Sequence, residues 1–390
     1  MNEKNIPLSV PNLKGQELEL VSKAIKDEWV STGGPYVPEF ENMTAEYVHT
    51  PDAVSCQNGT SGLHMAMMLM GVKHGDLVIV PPLTFIAAVN PVKYVGADPV
   101  FIDCDDTLTM DSAKLEKFCM EECELKDGAL FHKASRKRIS ALVVVHVFGN
   151  IADMESIMDI AAKYRLKVIE DATEALGSYC KEGRYAGCFA GTIGDIGVFS
   201  YNGNKIITTG GGGMIVSKDE ALLKKAKHLV NQAKADTIYF VHDMIGYNYR
   251  MTNLQAALGI AQLKQLEDFI KIKTDNYNLY KDFFDKIKGL KILDFRPDIR
   301  SNHWFYSLYI DDSFNIGRDD MIKYLAEKGI QTRPIWTLIN DQIMYKSNIS
   351  YMIEKARYYQ DRVVNIPCST NLTKEDALYV AETIAQAAAL

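Results

Sequence analysis

From Ala53 to Val216 short continuous apolar runs alternate with helical patterns, and that alternation restricts the fold more than any other feature of the chain. Short apolar runs between turn signals read as strands buried on both faces, the kind found in parallel sheets covered by helices. The candidates are 53–56, 77–80, 99–103, 141–147, 167–171, 197–201 and 214–217. Between them Met154, Ile157, Ile160 and Ala161 recur at helical spacing and predict a helix over 153–164. The pattern predicts an α/β fold with a mostly parallel central sheet flanked by helices. From 253 to about 288 Leu254, Leu258, Ala261 and Leu266 recur as one long helical stretch. It leads into a smaller α+β unit: strand 303–310, helix 318–328, strand 330–335, and helices near 351–364 and 374–388. The expected division is a large domain over 1–252, with the N-terminal segment, and a bridging helix with a small C-terminal domain over 253–390.

In an open α/β sheet, ligands bind outside the carboxyl ends of the strands. Strand 167–171 ends there in Glu170-Asp171, and strand 197–201 runs into Ser200-Tyr201-Asn202-Gly203-Asn204-Lys205. Four glycines, at positions 210 to 213, then lead into strand 214–217. A lysine so placed is shielded enough to be a nucleophile and free enough to reach a bound aldehyde, as a Schiff-base lysine must be. An upstream carboxylate suits pyridoxal 5′-phosphate (PLP), whose ring nitrogen needs an acid beside it. Gln57-Asn58-Gly59-Thr60-Ser61-Gly62 opens an apolar helix and offers N–H groups and a positive dipole end to an anion. It lacks the Gly-Lys-Ser/Thr of a nucleotide-phosphate loop. Phe85, just after strand 77–80, could stack on a flat ring. Taken singly, these are also a solvated lysine, an N-cap aspartate, a capped helix start and a core phenylalanine.

The four segments, in this order, resemble the fold-type I, PLP-dependent sugar aminotransferases of the DegT/DnrJ/EryC1/StrS group. The resemblance runs from about Ile6 to Ile384. It rests on Asn58-Gly59-Thr60, Thr84-Phe85, Val100-Phe101-Ile102-Asp103, His146-Val147-Phe148-Gly149, Glu170-Asp171-Ala172, Ser200 to Lys205, and Gly246-Tyr247-Asn248-Tyr249-Arg250-Met251-Thr252-Asn253. It implies that Lys205 carries PLP and moves the proton between substrate and cofactor carbons, and that Asp171 pairs with the ring nitrogen. Phe85 would stack on the ring, and Thr60, Ser61 and Ser200 would hold the phosphate. Asn248 would reach the phosphate of a neighbouring subunit, which implies a homodimer with shared active sites. Glu174, where many relatives carry Gln, would lie near the ring hydroxyl and the substrate. L-Glutamate would donate the amino group, with pyridoxamine 5′-phosphate as the intermediate cofactor form, and a nucleotide-linked keto-sugar would accept it.

Two stretches, Glu170 to Ser178 and Ser200 to Thr209, are similar to bacterial enzymes that aminate C4 of UDP-linked 4-keto-6-deoxy-N-acetylhexosamines for surface-glycan amino sugars such as bacillosamine and legionaminic acid. Trp29-Val30-Ser31-Thr32-Gly33-Gly34 has the look of the legionaminic branch. GDP-4-keto-6-deoxymannose or a 3-keto-sugar is the alternative substrate. The chain departs from many relatives at Ile366-Pro367-Cys368-Ser369, in place of a Pro-Leu-His stretch, and at Glu174-Ala175-Leu176, in place of Gln-Ala-His. Both departures fall on the sugar side of the pocket. Sugar dehydratases of the family replace the catalytic lysine by histidine. Retention of Lys205 and Asp171 ranks a dehydratase or lyase, and a non-catalytic PLP-fold protein, below the transaminase.

At 390 residues the chain can bury a large core, and 43 Lys and Arg against 50 Asp and Glu give a net charge of −7. That balance argues against a general nucleic-acid binder. Seven scattered cysteines, an odd number, fit a reducing cytoplasm. Residues 1–5 lead into no export-signal stretch, and no apolar run is long enough to span a membrane. Cys119 and Cys123, four apart in an expected helix, lack the further ligands zinc needs, so no metal site is expected. Arg250 and Arg333 suit anionic substrate groups, with structural ion pairing an equal reading. Trp29, Tyr36, Trp304 and Trp336 either line a sugar or base pocket or pack in the core. His146 is either a satisfied core histidine or a pocket residue.

Overall fold

The apolar runs form the strands that the alternation predicts: β1 (Ala53–Cys56), β2 (Leu77–Val80), β3 (Asp98–Ile102), β4 (Arg138–Val145), β5 (Lys167–Asp171), β6 (Ile196–Ser200) and β7 (Gly213–Val216). An eighth, β8 (Ile349–Tyr351), comes from the C-terminal part of the chain. The computed structural model describes residues 4–236 and 238–389; residues 1–3, part of the stretch read for an export signal, lie outside them. The order across the sheet is β1-β7-β6-β5-β4-β2-β3-β8. Pairs from β6 to β8 along that order are parallel, and β7 is antiparallel to both β6 and β1. β4 is buried along all but its first residue. Each Val or Ile so buried contributes about 1.5–3 kcal/mol over an exposed position.

Several expectations shift at the edges. The helix Ser112–Glu122 stops before Cys123, which opens the strand Cys123–Lys126 and its hairpin partner Ala129–His132. Asp127 and Gly128, both at positive φ (49° and 79°), form the turn, an Asp-Gly hairpin signal that outranks the helical spacing. The stretch 253–288 is two helices, Asn253–Leu263 and Leu266–Phe284. At the break the Gln265 side chain donates to Ala261 O (2.9 Å) and to Glu17 Oε1 (2.6 Å). Beyond them a four-stranded antiparallel sheet runs in the order Leu290–Ile292, Tyr306–Ile310, Val363–Ile366, Arg333–Pro334. The expected strand 330–335 is reduced to Arg333–Pro334 because proline has no N–H to donate, which suits an edge. The expected helix 351–364 shrinks to Lys355–Gln360, and the β-branched Val363-Val364 enters the sheet instead.

Buried polar contacts lock the C-terminal elements to the large sheet. β8 extends the β3 edge, and Asp103 just past β3 accepts N–H groups of Glu354 (2.9 Å), Lys355 and Ala356 (2.8 Å each), and Lys114 Nζ (2.6 Å). Burial opposes ionisation of Asp103, but these donors hold its carboxyl below the usual range. Residues near the N-terminus lie against C-terminal segments: Ile6 bridges Ile330, and Cys368 N–H donates to Leu8 O at 2.8 Å. Lys273, 3% exposed on the helix Leu266–Phe284, donates to Trp304 O (2.9 Å) and Cys368 O (2.6 Å), and burial draws its pKa down. No helix among the described residues is long and apolar enough to cross a membrane, and no metal-binding cluster is found among them.

Candidate active site

The carboxyl ends of β5 and β6, the start of the helix Gly59–Leu69 and the small sheet enclose a cavity of about 660 Å³. β5 places Asp171 at its floor, 4% exposed, with Oδ1 accepting the Thr173 N–H at 3.1 Å. The neighbouring Glu170 points the other way. It accepts His146 Nε2 (2.8 Å) and the N–H groups of Gly191 (2.8 Å), Ile193 (2.7 Å) and Gly194. His146 is fully buried, and its Nδ1 accepts the Ala152 N–H at 3.3 Å, which assigns the proton to Nε2. His146 is therefore a satisfied core histidine that fastens β5.

Lys205 follows β6 and lines the same cavity. Its Nζ lies 3.6 Å from Glu174 Oε1 and 4.0 Å from the centroid of the Trp304 ring. Trp304 is itself tied to this loop, since its Nε1 donates to Asn204 O at 2.7 Å. Glu174 Oε2 accepts the N–H of Phe148 at 2.8 Å. Phe148 holds φ at 56°, a left-handed conformation unfavourable for a bulky residue, and its ring stacks on Trp336 at 4.7 Å. Burial pushes the Glu174 carboxyl up to about 7, against the pull of Lys205. Burial also raises Asp171 above the ordinary carboxylate range. Two acids and an amine thus share a desolvated floor, where small changes in charge move protons.

Asn58 caps the helix Gly59–Leu69, and close backbone contacts hold that helix start beside the lysine loop. Gly212 N–H donates to Gln57 O at 2.8 Å. A Cβ on Gly213 would sit 2.8 Å from the Asn58 carbonyl carbon, and one on Gly59 would sit 3.0 Å from Ser200 Cβ. Gly213 and Gly59 therefore serve close packing. Thr60, Ser200 and Phe85 line the cavity, as do Arg333 and Trp336 on the side of the four-stranded sheet. Ser61, expected at the phosphate, is turned into its own helix. Its N–H donates to Asn58 Oδ1 (2.8 Å) and its Oγ accepts the Asn58 N–H (3.3 Å), the two bonds of a capping box, while the Oγ also donates to Asn58 O (2.8 Å). Asn248 is exposed and lies outside the lining of its own chain's cavity; Arg250 lies outside it too, its carbonyl accepting Gln57 Nε2 at 2.9 Å. Trp29 is exposed and Tyr36 belongs to the core. Asn365, which sequence reasoning missed, lines the cavity from Val363–Ile366. It follows directly on the helix expected over 351–364, a reading that gives it no part in a strand or a cavity wall.

The residues present fit PLP. The cavity combines a buried acid, an amine within reach of a second acid, a helix N-terminus with the Thr60 hydroxyl at its mouth, and an exposed aromatic ring at Phe85. Such a site on a mostly parallel sheet defines a PLP-dependent aminotransferase. The DegT/DnrJ/EryC1/StrS aminotransferase family model matches residues 11–385, and the chain belongs to that family. It is 37% identical to a GDP-perosamine synthase of Escherichia coli O157:H7, over 98% of each chain. It is 30% identical to a UDP-4-amino-4,6-dideoxy-N-acetyl-beta-L-altrosamine transaminase of Campylobacter jejuni, over 97% of this chain and 96% of the other. Among solved structures it resembles the aminotransferase TlmJ of Streptoalloteichus hindustanus, with a TM-score of 0.88, 26% identity and 99% of each chain covered.

Proposed function

We propose that this enzyme moves the amino group of L-glutamate to C4 of a nucleotide-linked 4-keto-6-deoxyhexose. The observation that carries the reading is Lys205 Nζ held between Glu174 and the Trp304 ring above buried Asp171. PLP, when bound, supplies the electron sink that lets an amino group leave one carbon and join another. Lys205 is the only lysine lining the cavity among the described residues, and it serves as nucleophile and proton carrier. Asp171 would pair with the ring nitrogen, and its burial would keep water from competing for that contact. Glu174 shares a proton with Lys205 when the amine changes charge. Thr60, Ser200 and the helix N-terminus would hold the phosphate, and Phe85 would cover the ring. Arg333 and Trp336 face the substrate, while Arg250 stands apart from this chain's own pocket.

Sequence resemblance favours a UDP-linked N-acetylhexosamine. The relatives shift the weight to the GDP-linked sugar that stood as the alternative, at 37% identity against 30%. A homodimer supplies Asn248 to the neighbouring cavity. The direct test is the absorption spectrum of the PLP-loaded protein. L-Glutamate is expected to abolish the yellow band, and a keto-sugar panel then to restore it, with GDP-4-keto-6-deoxymannose acting before its UDP-linked counterparts. Lys205→Ala is expected to lose steady-state transfer by at least about 10³-fold. Turnover that survives in Lys205→Ala would refute the assignment.

A further inference from the structure

The small-domain wall of the cavity carries a row of polar side chains across three strands. Asn365 on Val363–Ile366 is in register with Ser307 on one side and with Arg333 on the other. Residues directly opposite in neighbouring strands put their side chains on one face. Asn365 is 3% exposed, and Ser307 Oγ donates to its Oδ1 at 3.1 Å. Its amide Nδ2 has no partner among the described residues, and the residue lines the cavity. Arg333, also lining the cavity, uses Nη1 on Thr332 O (2.7 Å) and forms no ion pair with a carboxylate among the described residues. The rest of its fork is free for an incoming group. The acids of the cavity, Asp171 and Glu174, stand on the opposite large-domain floor.

We propose that Arg333 and Asn365 form the oxyanion subsite of this cavity, taking the carboxylate or phosphoryl oxygens of a substrate. A guanidinium fork beside an amide N–H matches two oxygens of such a group, and Ser307 fixes the amide so that its donors face the cavity. This rests on the transaminase reading, in which a dicarboxylic amino donor and a nucleoside diphosphate sugar use the cavity in turn. Either one brings the required oxyanion.

The experiment uses PLP-loaded wild type and the variants Arg333→Met, Arg333→Lys, Asn365→Leu and Asn365→Asp. One arm follows loss of the yellow band against L-glutamate concentration. The other measures binding of GDP and UDP by calorimetry, which needs no turnover. Arg333→Met is expected to weaken one ligand class by about tenfold or more, with Arg333→Lys intermediate because a point charge lacks the fork. Asn365→Asp is expected to be worse than Asn365→Leu, since a fixed carboxylate repels the anion. A loss confined to L-glutamate makes the carboxylate the bound group; a loss confined to GDP or UDP makes it the diphosphate. Variants that bind both classes like a responsive wild type overturn the subsite and leave the transaminase reading intact. A wild type that responds to no ligand overturns both.

Discussion

Glu174 holds a proton that the unfolded chain would release. Its carboxyl is raised by burial from 4.5 to about 7. Between those values the folded chain binds more protons than the unfolded one, so stability falls as pH rises through that window. In the cofactor-free protein Tm is expected to decline from pH 5 to pH 7.5 by more than in Glu174→Gln. The amide also keeps its oxygen available to the Phe148 N–H. A Tm profile in the variant as steep as in wild type would show that another group carries the slope. In the PLP-loaded enzyme the same substitution removes a proton acceptor 3.6 Å from Lys205 Nζ. The transfer rate is expected to fall by about 10–100-fold and to lose its neutral-pH inflection, as a pH–rate profile would show.

At the scale of elements, the glycine run after Lys205 fixes how two strands and a helix meet. Gly213→Ala adds a methyl group 2.8 Å from the backbone of Asn58, where no flexible side chain can yield. Overpacking of this kind costs about 1–3 kcal/mol. The shift falls on the helix start that receives the phosphate, so PLP affinity is expected to drop together with the urea midpoint. Gly203→Ala, in the same loop with open space around its Cβ position, is the control that should leave both near wild type. The strands β2 and β5 were legible to the residue because short apolar runs bounded by turns and alternating with helices admit few other folds. The small unit was less legible because its strands are short and its register is set by partners distant in sequence, as Asn365 is set by Ser307 and Arg333. Lys205, Asp171 and Phe85 drew notice in the sequence as residues at or just after strand ends and Glu174 through the family resemblance, and all four line the cavity. The cavity role of Asn365 was not readable, since it depends on a cross-strand row. The helical spacing that misplaced Cys123 lost to the Asp-Gly turn four residues on.

At the scale of the whole molecule, an apolar hairpin stands exposed in the single chain. The hairpin Lys234–Asp236 with Val241–His242 exposes Ile238 (77%), Tyr239 (79%) and Phe240 (70%), and Ile245 beyond it is 85% exposed. A patch of this kind marks an interaction surface. The hairpin leads on to Asn248, which is exposed and lies outside the lining of its own chain's cavity. A second copy of the chain meets both facts, since a two-fold pairing would cover the apolar hairpin and deliver Asn248 to the neighbour. Sedimentation is expected to show a dimer, and Tyr239→Asp with Ile245→Asp to shift it toward monomer. The sharper test is complementation. Asn248→Ala should weaken PLP binding, and Lys205→Ala should abolish transfer. If Asn248 serves the neighbouring site, a mixed dimer of the two variants holds one cavity with its own Lys205 and an intact Asn248 donated across the interface. Random pairing of equal amounts makes about half the dimers mixed, so activity at limiting PLP is expected to recover to about a quarter of wild type. Without exchange between subunits the mixture would do no better than the average of its two parents.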